Sequence, residues 1–131
     1  MKRTTLTLRA LLFPFCFSPT AWAVPIGHHG GMILNCEAPH FFDENPAADA
    51  KVSSFQKFSL TASDNTDPAT IKAYVNNQPV AVIVEKDRAG RYAVSGGLPQ
   101  AVSKGRIWLK VTADSQEGCD NFKSWFIHTA N

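Results

Sequence analysis

The chain has 131 residues, of which 44% are hydrophobic and 18% charged, with 13 basic and 11 acidic side chains. Three of the basic residues, Lys2, Arg3 and Arg9, stand near the start, so the rest of the chain carries a formal charge of −1 and no basic patch with interleaved aromatics. Nucleic acid is therefore excluded as an expected partner, and no apolar run approaches the ~20 residues of a spanning helix, which excludes a membrane span in the mature form.

Residues 1–23 read MKRTTLTLRALLFPFCFSPTAWA: a basic start, an apolar run over residues 10–17, and a small-x-small ending at Ala21-Trp22-Ala23. That order predicts a secretory signal cleaved after Ala23, and hence an exported protein, periplasmic or secreted. The mature chain would hold 108 residues, close to the commonest size of a single domain. Cleavage also removes Cys16 and leaves Cys36 and Cys119. An even pair in an exported chain is most simply a disulfide. The loop it closes is 84 residues long, for which chain entropy gives about 4.5 kcal/mol.

Residues 24–45 form an arm and loop. The arm reads VPIGHHGGM, glycine-rich and without periodicity, and residues 37–48 are rich in turn formers. Regular structure is expected from about Lys51, with Val52 and Phe55 in a short strand and Phe58, Leu60 and Ala62 alternating with polar residues in a second. The run Asp64-Asn65-Thr66-Asp67-Pro68 ends it. Ile71, Ala73 and Val75 alternate again, Asn76-Asn77 makes a two-residue hairpin turn, and residues 80–85 return as one strand.

A turn at residues 87–90 precedes a short strand over residues 91–94, and the glycines and proline of residues 96–99 read as an irregular connection. The best strand of the sequence runs over residues 105–113, where Ile107, Leu109, Val111 and Ala113 alternate with Arg106, Trp108, Lys110 and Thr112. A polar turn leads to Cys119, and residues 122–128 supply the last strand, with Phe122 and Ser124 on one face and Lys123 and Trp125 on the other. About seven short strands and no convincing helix predict an all-β protein, a single antiparallel sandwich or small barrel over residues 46–131.

The stretches PAADAKV at 46–52, FSLTASDN at 58–65, IKAYVNNQPV at 71–80, RYAV at 91–94 and GRIWLKVTADSQEG at 105–118 resemble bacterial immunoglobulin-like modules of exported proteins. The resemblance covers residues 46–128 and implies an immunoglobulin-like β-sandwich. Unlike the antibody bridge, which joins the two sheets across the core, Cys36–Cys119 would tie the arm to the last hairpin. PAADAKV and WLKVTADSQEG also resemble the opening and closing strands of the copper-resistance protein C family, small periplasmic copper binders. That family carries a histidine at the mature N-terminus, where this chain would begin with Val24, and an Asp-Gly-His where this chain reads Asp114-Ser115-Gln116. Only Asp114 is a positional match.

Three of the four histidines lie close together, His28, His29 and His40, with Met32 and Cys36 between them. Imidazole and thioether suit copper, and imidazole also suits zinc or nickel. Because imidazole must be neutral to ligate, affinity would fall below about pH 6. The plainer reading is a solvated arm that holds no ion. His128 reads as an exposed strand-end residue. Asp64, Asn65 and Asp67, with Asp114 or Glu117, offer oxygen ligands to calcium, although an ordinary Asx turn explains them with fewer assumptions.

No Gly-x-Ser-x-Gly, His-Glu-x-x-His, phosphate loop or dinucleotide fingerprint is present, so no catalysis is expected. Trp108 and Trp125 would make a binding platform if they shared the outward face of adjacent strands; the alternative buries one or both. The first functional reading is a non-catalytic, exported binding or accessory protein whose partner is an unknown protein or small ligand. The second is a periplasmic copper binder using His28, His29, Met32 and His40. A secreted hydrolase comes last.

Overall fold

The computed structural model describes residues 36–130. The leader and most of the arm, including His28, His29 and Met32, lie outside the described residues. Nine strands are present among the described residues: β1 (Phe41–Asn45), β2 (Lys51–Val52), β3 (Phe55–Ala62), β4 (Lys72–Val75), β5 (Gln78–Val80), β6 (Val82–Lys86), β7 (Tyr92–Val102), β8 (Gly105–Asp114) and β9 (Asp120–Thr129). They form an antiparallel sheet in the order β1-β3-β7-β6 and a five-stranded sheet in the order β2-β9-β8-β4-β5, in which only β2 runs parallel to its neighbour. The two pack face to face as an immunoglobulin-like β-sandwich, the all-β class expected from the strand count.

Alternation builds the core. Phe58, Leu60 and Ala62 from β3, Tyr92 and Val94 from β7, Ile107, Leu109, Val111 and Ala113 from β8, and Trp125 and Ile127 from β9 all point inward. Phe55 is out of step with the rest of β3, yet buried, because the register against β7 shifts between Phe55 and Lys57 and turns its ring back inside. The ring of Phe58 meets the indole of Trp125 edge to face across the two sheets, with centroids 6.5 Å apart.

The Asn76-Asn77 turn is as expected: both residues take positive φ, 48° and 67°, as a two-residue hairpin needs. Three expectations are corrected. Residues 80–85 are not one strand, because β5 ends at Val80 in one sheet and β6 begins at Val82 in the other, with Ala81 at the crossing. The connection at residues 96–99 is the continuation of β7. Its glycines are there for close approach, since a Cβ on Gly96 would stand 2.7 Å from the Phe58 ring.

The third correction is β1, which lies inside the expected loop and ahead of Pro46. It pairs with β3, and polar ties also hold it to the opposite sheet. The Lys123 ammonium donates to the Phe41 carbonyl at 3.2 Å and to Glu44 Oε2 at 2.7 Å. The indole N–H of Trp125 donates to the Pro46 carbonyl at 3.0 Å.

The hydrogen bond from Lys123 holds the Glu44 carboxyl below its ordinary value of 4.5. A carboxyl with a depressed folded pKa stabilises above its unfolded value and loses that contribution as pH falls through the folded one. Lys123→Gln is expected to cost about 1 kcal/mol at pH 7. The difference between wild type and variant should shrink as pH falls below the ordinary carboxyl value of 4.5, which urea unfolding at pH 7 and across the acid range checks.

Candidate functional site

The chain enters the described structure at Cys36, which is bonded to Cys119 with Cα atoms 6.0 Å apart. Cys119 closes the turn between β8 and β9. There the Ser115 N–H donates to the Cys119 carbonyl at 2.7 Å, the Cys119 N–H donates to Ser115 Oγ at 3.1 Å, and Gly118 takes a φ of 90°. The preceding β3–β4 loop is locked to the same turn. Asp67 N–H donates to the Asp114 carbonyl and Gln116 N–H to the Asn65 carbonyl, both at 2.8 Å, while the Thr70 hydroxyl accepts from Asp114 N–H at 2.8 Å. The bridge therefore fastens the arm to one braced end of the sandwich.

Asn65 fixes the first residues after the bridge. Its Nδ2 donates to the carbonyls of Glu37 at 3.0 Å and Ala38 at 3.3 Å, and its Oδ1 accepts from the Ser63 hydroxyl. Asp67 Oδ1 accepts from Ala69 N–H at 3.0 Å and caps the single 3-10 turn, Pro68–Thr70. The Asn65 and Asp67 oxygens serve turns, which is the simpler of the two sequence readings for them.

His40 sits at the same end. Its backbone exchanges hydrogen bonds with Ser63, donating to Oγ at 2.8 Å and accepting from N–H at 2.9 Å. The imidazole is left in solvent with Nε2 3.8 Å from Glu37 Oε1. Glu117 approaches from the turn, its Oε2 3.4 Å from the Glu37 amide. Asp114 closes the end of β8 opposite Asp120. No three His, Cys, Asp or Glu side chains among the described residues are grouped to hold a metal ion. His128 lies at the other end of β9, half exposed, with Nε2 3.5 Å from Asp49 Oδ1.

Trp108 and Trp125 do not form a platform. Trp108 pairs with Phe126 and Trp125 with Leu109, so the two indoles point to opposite faces of the sheet, and Trp125 is 4% exposed in the core. What surrounds Trp108 is instead a set of aromatic and basic side chains on the outer face of the five-stranded sheet. The Arg106 guanidinium lies 4.2 Å from the Phe126 ring centre, and the Lys110 ammonium 4.9 Å from that of Phe122. The sequence expectation of no basic patch with interleaved aromatics is thus corrected: the residues are dispersed along the chain and only the strand order gathers them. A shallow trough of about 560 Å³ marks the opposite sheet, where Ser59, Ser95 and Gly97 are small between Asn45, Lys57 and Ile83.

No helix of the described residues is long and apolar enough to cross a membrane. No family model matches the sequence, and no curated protein matches it either. Solved structures do match. The chain is similar to CopC from Methylosinus trichosporium OB3b, with a TM-score of 0.55 and 14% identity over 70% of this chain and 92% of that one. It is also similar to PcoC, a methionine-rich copper resistance protein from Escherichia coli, with a TM-score of 0.54 and 18% identity over 72% of this chain and 100% of that one. The selenomethionine form of PcoC matches in the same way, at 17% identity. At these identities the likeness establishes a shared sandwich fold that spans nearly the whole of each relative.

Proposed function

We propose that this protein is a non-catalytic, exported copper binder whose ligands come chiefly from the segment before Cys36, namely His28, His29 and Met32, with His40 beside them. The observation that carries this reading is the Cys36–Cys119 tether at the end where His40, Glu37 and Glu117 stand. Met32 and His40 each lie four residues from Cys36, a reach of at most ~14 Å, and His29 lies seven away, at most ~25 Å. The bridge thus fixes Cys36, from which these reaches are counted, at the end that carries His40. The likeness to PcoC, a methionine-rich copper resistance protein, supports copper over the other imidazole-binding metals. At that end the described residues supply the His40 imidazole and neighbouring carboxylates, and residues 28–32 would complete the set.

Copper titration of the mature chain tests this. Cu(II) should bind tightly near pH 7 and weaken below about pH 6, as imidazole protonates. His28→Ala with His29→Ala is expected to weaken Cu(II) binding at least tenfold. Met32→Leu should weaken Cu(I) selectively, because thioether sulfur is a soft ligand. Absence of tight binding, or binding untouched by the histidine changes, would overturn the proposal.

A further inference from the structure

We propose that the outer face of the five-stranded sheet docks an acidic segment of a partner protein. The register makes this face a grid. Lys51, His128 and Arg106 form one row, Phe126 and Trp108 the next, Ser124, Lys110, Tyr74 and Pro79 a third, and Phe122, Thr112 and Lys72 a fourth. Four cations stand in these rows and no carboxylate does; Asp114 and Asp120 come only beyond the last of them. The nearest carboxylate at the opposite margin, Asp49, faces His128.

Among the described residues none of the four cations makes an ion pair; the lysine and arginine that do are Lys123 and Arg91. A chain whose mature formal charge is −1 has acid enough to pair them, yet its carboxylates lie elsewhere. Residues 1–35 contain no Asp or Glu, so wherever they lie they bring no acidic side chain to this face. An acidic segment of another molecule supplies the complement that the described carboxylates do not. A second copy presenting the same face would be repelled by like charge.

The cations cover part of the ring surface on which a nucleobase or sugar would stack: Arg106 lies over Phe126 and Lys110 over Phe122, leaving Trp108 and Tyr74, and this favours an acidic polypeptide over a stacked polyanion. A guanidinium resting on a ring spends none of its N–H donors there, and its fork matches a carboxylate. Phe122, 57% exposed, adds an apolar contact at the rim. The inference is independent of the copper reading, since none of these residues is among the candidate ligands.

Immobilised poly-L-glutamate is the probe, with heparin and a thymidine oligonucleotide as competing polyanions. The metal-free mature chain should be retained by poly-L-glutamate at ~0.02 M salt and released at ~0.5 M, where screening is nearly complete. Arg106→Gln with Lys110→Gln should weaken retention at least tenfold, and Lys72→Gln with Lys110→Gln provides a second test at a different corner. Lys57→Gln, on the other sheet, should change it less than twofold, with thermal melts verifying that every variant is folded. No retention at low salt, or equal loss in Lys57→Gln, would overturn the proposal. Tighter binding of heparin or the oligonucleotide would also overturn it, by assigning the face to a different polyanion.

Discussion

Replacing Cys36 and Cys119 together by serine is expected to lower the free energy of unfolding by about 4 kcal/mol, near the chain-entropy figure for the loop they close. The bridge joins residues 83 apart and encloses every strand but β9, so its removal frees most of the described chain in the unfolded state. It does not cross the core, and the folded variant should keep its sheets. The interactions that remain at that end, from Asn65 to the Glu37 and Ala38 carbonyls and from Asn121 to the Pro39 carbonyl at 2.7 Å, hold the entry of the arm but not its covalent attachment. Urea unfolding of the oxidised protein and of the double variant measures the difference. A loss below about 1 kcal/mol would mean that the unfolded chain is already compact between the two positions. On the copper-binding reading, the same variant should also bind Cu(II) more weakly, since the candidate ligands lose their anchor.

The parts of the fold legible in the sequence are those governed by local pattern. The strict alternation of residues 105–113 gives β8, and the tolerance of asparagine for positive φ gives the Asn76-Asn77 turn. Cysteine parity in a chain expected to be exported gives the bridge. What was not legible depends on distant partners. The sequence FFDEN has no alternation of its own, and β1 exists because Thr61, Ala62, Lys123 and Trp125 supply its pairing and ties. Gly96 reads as punctuation until the Phe58 ring is seen against it. The crossing at Ala81 leaves no mark in VAVIVE, because both halves alternate like one strand.

The same division holds for the sites. His40 and Cys36 are close in sequence to His28, His29 and Met32, so the candidate set could be read from sequence as a set. The cationic face was not, because Lys51, Lys72, Arg106 and Lys110 come from three strands whose order is set by long-range pairing. One signal was available: Arg106, Trp108 and Lys110 alternate outward along one strand, and the outward residues of the following strand are Phe122 and Phe126. Pairing those two strands as a hairpin is enough to place rings between cations.

Trp125→Ala is expected to cost about 4 kcal/mol, whereas Trp108→Ala should cost about 1 kcal/mol or less. The two residues are one register step apart on neighbouring strands, so the contrast isolates the effect of facing inward. Trp125 is 4% exposed, packs edge to face against Phe58, and donates its indole N–H to the Pro46 carbonyl. Truncation therefore leaves a cavity between the sheets and removes the tie that holds the link between β1 and β2. Trp125→Phe separates the two terms, keeping most of the volume but losing the hydrogen bond, and should fall between them at about 1–2 kcal/mol. Urea midpoints for the three variants give the ranking, and emission from the mature Trp108→Ala variant should remain that of a buried indole. Equal losses at positions 108 and 125 would contradict the inward and outward assignment on which both the core packing and the cationic face depend.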